Sequence, residues 1–192
     1  MALAPLSSKV DELIRRLDEA VAAEDDAGRC RNVKRVLVDV VGSHEQFVPE
    51  TMLRTATGQY ARRLLHRHPQ GLYTVLVMVW DAGQGTQLHD HAGMWCVECV
   101  YRGRIRVTSY SITGGDPERD LVTFSEESVV HAGVGEAGAL IPPFEYHVLE
   151  NAGATPAVTI HVYGGDMTHC HVFEPVDGPW HRRRYKELTY TS

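Results

Sequence analysis

Residues 83–103, GQGTQLHDHAGMWCVECVYRG, set two histidines two positions apart, His89 and His91, between a glycine-rich run and a stretch of alternating apolar residues. In an extended strand such residues point to one face at ~6–7 Å spacing, so both imidazoles can aim inward at one metal ion. The same pair would also suit a surface or a packed core, because same-face histidines need not bind anything. What surrounds the pair decides its meaning.

On either side the pattern is that of a small β-protein with a helical start. Val10, Leu13, Ile14, Leu17 and Val21 recur at helical spacing, with Ser7 or Ser8 available as an N-cap. Val33, Val36, Leu37 and Val40 predict a second amphipathic helix that Gly42 can end. PETMLR predicts a short third helix, with Pro49 at its start. Near Tyr60 the pattern changes to short β-rich runs: YTVLVMVW, MWCVECVY, RIRVTSYSI, SVVHAGV, GALIPP, HVLEN and AVTIHVYGG. Turn-prone stretches such as DAGQG, TGGDPERD and NAGATP separate them. Many short strands without intervening helices predict a mainly β sandwich or barrel. We read residues 1–192 as one domain, with 1–55 a helical amino-terminal part packed on a β-barrel of 56–192.

Composition narrows the function. Hydrophobic residues at 43% and charged ones at 23% describe a chain that folds, not a disordered one. A net charge of −6, with no basic face along most of the chain, argues against nucleic acid as a partner. No run approaches a membrane span, and MALAPLSSKVDELIRRL lacks the charged start and apolar block of a signal peptide. Cys30, Cys96, Cys99 and Cys170 show no zinc-type pairing, so reduced thiols and a cytoplasmic location are the expectation. The basic cluster WHRRRYKEL reads as a solvated surface or a contact with the acidic remainder.

The frame of the histidine pair is more specific. Gly83, His89, His91, Cys96 and Gly103 resemble the first cupin motif, G-x5-H-x-H-x4-E-x6-G, with Cys96 where the motif has glutamate. Pro142, Phe144, His147 and Asn151 resemble the second, P-x-G-x-x-H-x-x-x-N, with Phe144 in place of its glycine. The resemblance implies a cupin, a small jelly-roll-like β-barrel, in which the second-motif histidine faces the first pair. Two histidines and a carboxylate hold ferrous iron in many oxygenases. With Cys96 in place of the carboxylate, His89, His91 and His147 form a set of three neutral imidazoles, and the ion keeps its full +2 charge. A thiolate suits such an ion, since metal coordination deprotonates a thiol. The missing carboxylate points toward thiol oxidation.

HDHAGMWC and the segments after it resemble a bacterial thiol dioxygenase of the cysteine dioxygenase family, over roughly Tyr60 to Phe173. In that family a cysteine follows the first histidine by seven positions, as Cys96 follows His89, and in some members it forms a thioether with an active-site tyrosine. In AVTIHVYGG, Thr159, His161 and Tyr163 alternate on one strand face and match the family's Ser-His-Tyr trio, threonine keeping the hydroxyl. The resemblance implies a relay in which Thr159 orients His161, His161 orients Tyr163, and the phenol donates to substrate or oxygen. It makes Tyr163 the partner of Cys96 in any thioether. Tyr60 and Arg62 in GQYARRLLH resemble the family's Tyr-x-Arg, with Arg62 gripping a substrate carboxylate through two parallel hydrogen bonds and Tyr60 assisting. A branch that prefers 3-mercaptopropionate has glutamine at the Arg62 position, so the match is to the arginine-type branch.

The implied enzyme is a non-haem iron(II) thiol dioxygenase that adds both atoms of dioxygen to the sulfur of a small carboxylated thiol. L-Cysteine, giving cysteine sulfinate, is the expected substrate, with 3-mercaptopropionate and mercaptosuccinate as alternatives. A non-catalytic metal-binding cupin that binds a small molecule is the reading of another class, and the oligomeric state stays open. Arg63 is expected at the surface or in a structural contact, Cys99 on the strand face opposite Cys96, and Cys170 in packing near the site mouth. Trp95 and Met94 suit either the pocket wall or the core. His66 and His68 repeat the H-x-H but run into a turn at Pro69, and are assigned to the surface.

Overall fold

The computed structural model describes residues 6–43, 45–117 and 119–192, without the side chains of residues 6–8. Helix α1 spans Leu6–Ala20 and α2 Asp26–Gly42. Leu13, Leu17 and Ala20 of the first and Cys30, Val33, Leu37 and Val41 of the second are buried in one cluster. The Asp25 carboxylate accepts the Gly28 N–H at 2.6 Å and so caps α2, satisfying one of the free amides of its first turn. α1 already begins at Leu6, which puts Ser7 and Ser8 inside its first turn; capping by their side chains lies outside the described atoms. The short third helix is a single turn of 3-10 type, Glu50–Leu53, with Pro49 ahead of it.

Ten strands follow: β1 Ala61–Arg67, β2 Thr74–Trp80, β3 Cys96–Arg102, β4 Arg104–Gly115, β5 Leu121–Gly133, β6 Ala137–Leu140, β7 His147–Glu150, β8 Ala157–Tyr163, β9 His169–Pro175 and β10 Trp180–Glu187. The fold is mainly β with amino-terminal helices, as expected. The strands do not close into one barrel, however, but form two five-stranded sheets, ordered β1-β2-β8-β3-β6 and β7-β4-β5-β10-β9. The basic cluster read as surface is itself strand β10, paired with β9 along its length. Its arginines reach across neighbouring segments, Arg182 to Asp120 at 3.7 Å and Arg184 to Glu174 at 3.6 Å.

β2 is buried at every residue because both faces of its sheet are covered. Val75, Val77 and Val79 pack against the helices, whereas Leu76, Met78 and Trp80 belong to clusters on the opposite face, between the sheets. β3 and β8 divide the same way. Val97, Cys99 and Tyr101, with Val158, Ile160 and Val162, lie in the helix-side cluster. Cys96, Glu98, Val100, Thr159, His161 and Tyr163 therefore take the inner face. Gly103 makes the turn between β3 and β4 at φ 76°, where a Cβ would sit 3.0 Å from Ala157.

The segment carrying the first histidine is captured between the edge strands of the second sheet. His89 bridges His147 on β7 and Val172 on β9. Asp90 N–H donates to the His171 carbonyl at 3.1 Å, and Phe173 N–H to that of Leu88 at 2.9 Å.

Leu37 is fully buried between the helical layer and the first sheet. Leu37→Ala is expected to cost about 2–5 kcal/mol, read as a lower urea midpoint at unchanged m-value. An unshifted midpoint would mean that the helical layer does not unfold with the sheets.

Candidate active site

A tight reversal aims His91. Ala92 and Gly93 both have positive φ, 52° and 78°, and the Met94 N–H donates back to the His91 carbonyl at 3.0 Å. His89 is set by its two backbone hydrogen bonds with His147, at 3.3 and 3.4 Å. The three rings come together with their ligand atoms within 4.8 Å of one another. Centroids are separated by 4.6 Å for His89–His147, 4.9 Å for His91–His147 and 5.3 Å for His89–His91. All three residues are buried.

Nδ1 of His89 lies 3.0 Å from the Gln87 carbonyl oxygen, and Nδ1 of His147 3.1 Å from that of Glu145. A carbonyl only accepts, so both rings carry their proton on Nδ1 and keep Nε2 as a lone-pair donor. His147 Nε2 is buried without a partner among the described residues. The buried Glu145 carboxylate accepts the His91 backbone N–H at 2.9 Å and lies 3.4 Å from His91 Nδ1. That second approach misses hydrogen-bond geometry, so it is a contact and not a bond. Burial, then the neighbouring His91, pushes His89 down to about 3. Burial with His89 and His91 holds His147 well below the ordinary histidine range. An orphaned nitrogen among these imidazoles fits a divalent cation. Among the described residues the cluster includes no carboxylate or thiolate.

The trio on β8 is joined as a chain. Trp80 Nε1 donates to Thr159 Oγ1 at 2.9 Å, Thr159 Oγ1 lies 2.8 Å from His161 Nε2, and Tyr163 Oη 3.3 Å from His161 Nδ1. An indole N–H only donates, so Thr159 Oγ1 accepts there and its own hydroxyl proton is left for a further partner, a role His161 Nε2 can fill. With that polarity His161 has its proton on Nδ1, facing the Tyr163 oxygen. Burial, with His91 and Arg62 nearby, pushes His161 down to about 3. Burial, then the neighbouring Cys96 thiol, raises Tyr163 well above the usual phenol range. Cys96 sits opposite Tyr163 in the β3–β8 register, and burial raises its thiol well above the ordinary range; the sulfur that Tyr163 Oη meets in hydrogen-bond geometry is Met78 Sδ, at 4.0 Å.

Arg62, on β1, is buried. Its Nη2 donates to the Met167 carbonyl at 2.6 Å and its guanidinium lies 5.0 Å from the centre of the Tyr190 ring, but its buried Nη1 has no partner among the described residues. Tyr60 stacks on Trp80 with centroids 4.5 Å apart. One cavity is lined by Tyr60, Arg62, His89, His147, His161 and Tyr163, with Cys170 and Lys186 also on its wall.

Several residues outside the sequence reading belong to this region: Trp80 behind the relay, Glu145 behind His91, and Met167 and Tyr190 around Arg62. Glu98 is another, a buried acid on the inner face of β3 that burial pushes up to about 8. Arg63 makes the structural contact expected of it, donating to the carbonyls of Met52 and Arg54 at 3.2 and 2.6 Å. Trp95 resolves to the helix-side core, against Gly164, where a Cβ would strike the indole. His66 and His68 are not plain surface residues. Both are half-buried, against Tyr73 at 5.6 and 5.2 Å between ring centroids, and apart from the metal cluster. Phe144, the departure from the second motif, is 80% exposed and so does not crowd the cavity.

The neutral rings predict acid sensitivity of the metal-free protein. Unfolded histidines protonate near ~6.5, whereas His89 and His161 stay neutral down to about 3. Between those values the unfolded state binds more protons, so stability is lost as pH falls, by roughly 1.4 kcal/mol per unit for each fully titrating group. Glu98 works in the opposite sense as pH falls from about 8 toward the ordinary carboxyl range, and the histidines outweigh it. The thermal midpoint of the metal-free chain is expected to drop from pH 6.5 downward. A flat profile there would contradict neutral burial of these rings.

A model of the cysteine dioxygenase type I family matches residues 49–175. Cysteine dioxygenase type 1 of Rattus norvegicus is 25% identical over 169 residues, covering 87% of this chain and 80% of that protein. The Homo sapiens protein is 24% identical with the same coverage. Among solved structures, a Klebsiella pneumoniae protein with a double-stranded β-helix domain covers 64% of this chain and 94% of its own, at a TM-score of 0.46 and 19% identity. The family match runs from the 3-10 turn to the end of β9 and encloses all three clustered histidines. The chain belongs to the cysteine dioxygenase type I family and is a non-haem iron dioxygenase.

Proposed function

We propose that the protein is an iron(II) thiol dioxygenase that converts a small carboxylated thiol, L-cysteine in the first instance, to its sulfinate. The observation that carries this reading is one cavity lined by members of the three-histidine cluster, an arginine with a free buried N–H, and a phenol at the end of a hydrogen-bonded chain. Held by His89, His91 and His147, iron(II) would supply a Lewis-acidic centre that favours the thiolate and couples its oxidation to dioxygen. Arg62 offers Nη1 to the substrate carboxylate while Met167 and Tyr190 fix its other side. Tyr60, braced on Trp80, assists there. Tyr163 stays protonated because it is buried, and donates from Oη while His161 and Thr159 steady it. The thiol and dioxygen together contain all the atoms and electrons of the sulfinate, so no external reductant enters.

Lys186 on the cavity wall favours a second reading of the substrate, a dicarboxylated thiol such as mercaptosuccinate, with Arg62 and Lys186 each taking one carboxylate. 3-Mercaptopropionate lacks only the amine of cysteine and would use Arg62 alone. The free buried cysteines are in keeping with a reducing compartment, and a cytoplasmic location is part of this reading.

Anaerobically iron-loaded protein offered cysteine, 3-mercaptopropionate and mercaptosuccinate is expected to consume dioxygen and form sulfinate in equal amounts. Arg62→Gln should lower kcat/KM for the preferred thiol by about a hundredfold, the scale of a lost charge-assisted contact. No uptake with any thiol at full iron loading would favour a non-catalytic binding cupin, and an unchanged Arg62→Gln would put the carboxylate elsewhere.

The register that sets Cys96 against Tyr163 suits a thioether between them, formed with loss of two hydrogens to dioxygen. Intact-protein mass spectrometry after aerobic turnover with iron and thiol is expected to show that deficit in part of the population. Its absence from both the intact protein and the Cys96 peptide would rule the link out.

A further inference from the structure

Glu98 has no part in the mechanism above, yet it stands beside the relay. It faces His161 directly in the β3–β8 register, and its Oε2 lies 3.6 Å from His161 Nδ1. The residue is 8% exposed, and that oxygen is buried without a hydrogen-bond partner among the described residues. Separation alone would make the contact an ion pair, but with His161 held down to about 3 and Glu98 up to about 8 neither group is charged at neutral pH. His161 Nδ1 has one proton and two oxygens within reach, Tyr163 Oη at 3.3 Å and Glu98 Oε2 at 3.6 Å.

We propose that Glu98 is a positioning residue that competes with Tyr163 for the Nδ1 proton of His161. When Glu98 is protonated it is the weaker acceptor, and the imidazole N–H stays on the phenol oxygen. When it ionises, a charge-assisted bond draws the N–H away and leaves the phenol unheld. This rests on the relay reading of Thr159, His161 and Tyr163.

The surroundings support a group that exchanges protons with solvent independently of the substrate cavity. Glu98 opens onto a second cavity of about 290 Å³, bounded by Ile105, Val130, Leu149 and Thr159 among others. Water can enter such a space and protonate the acid from the side away from Arg62. The titratable groups facing Glu98 are few. β8 presents His161 and Tyr163, β3 itself Cys96, with Cys99 turned to the helix side, and the turn before β6 presents Glu136 on the cavity wall. β4, β5 and β6 contribute only uncharged side chains to that cavity. No cation among these groups holds Glu98 ionised, so its proton is exchanged near neutral pH and not far below it.

The test uses the full chain loaded with zinc(II), a diamagnetic occupant, and follows the His161 Nδ1–H proton by NMR from pH 6 to 10. The resonance is expected to move downfield as Glu98 ionises, and to stay in place in Glu98→Gln. In iron-loaded protein the alkaline fall in kcat is expected to move upward by a pH unit or more in Glu98→Gln. A resonance that is stationary in the native chain, or that moves equally in Glu98→Gln, would overturn the proposal, as would an alkaline limb unaltered by the substitution. If Glu98→Gln does not fold, Glu98→Asp withdraws the carboxyl by one methylene and is expected to give a smaller downfield movement. A movement as large as the native one would then count against the contact. Because the NMR readout needs no turnover, inactivity toward every thiol would defeat the proposed function while leaving the role of Glu98 to be decided.

Discussion

Two backbone hydrogen bonds between His89 and His147 hold the site together, and everything else in it depends on their register. They join two segments that the chain keeps far apart and place two imidazoles on one side of the join. A slip of one residue would turn one ring to the opposite face and dissolve the cluster. The segment does not rely on β7 alone. Its other edge is bonded to β9, and Asp90 accepts the N–H groups of Ala92 and His171 at 3.1 and 2.8 Å. The first two histidines thus sit on a captured strand segment, which orders the ligands before any ion arrives.

Burial supplies the second constraint. A sheet covered by helices on one side and by another sheet on the other excludes water from both faces. On β8 the helix-side residues are Val158, Ile160 and Val162, while the residues between them carry a hydroxyl, an imidazole and a phenol. The same environment that keeps the imidazoles uncharged keeps Tyr163 protonated, so ligands and proton donor are prepared by one cause.

Much of this was legible because it follows short-range rules. Motif spacing located His89, His91 and His147, and period-two alternation placed Thr159, His161 and Tyr163 on one face. Glu98 was within reach of the same rule, since it is two residues from Cys96 and shares its face, but it was hidden in an apolar run. β10 was missed because arginines on both faces erase the alternation that marks a strand. The choice between sandwich and barrel was not legible, as identical strand patterns serve a closed barrel and an open pair. Trp80, Met167 and Tyr190 reach the site through tertiary contacts that no local spacing encodes. His66 and His68 followed a turn rule correctly near Pro69 but stand against Tyr73, which the β1–β2 hairpin brings across from them, with the His68 N–H donating to the Tyr73 carbonyl at 3.0 Å.

The support of Arg62 has a consequence for the order in which the protein is completed. Its backbone N–H donates to Thr191 Oγ1 at 3.0 Å, and the Thr191 N–H returns to its carbonyl at 2.7 Å, while the Tyr190 ring covers its guanidinium. The histidine cluster is drawn from segments up to β7, whereas the carboxylate clamp also needs Tyr190 and Thr191, which follow β10. A growing chain therefore has its three imidazoles before it has the support of Arg62, so synthesis itself separates the capacity to bind metal from the capacity to select what meets it.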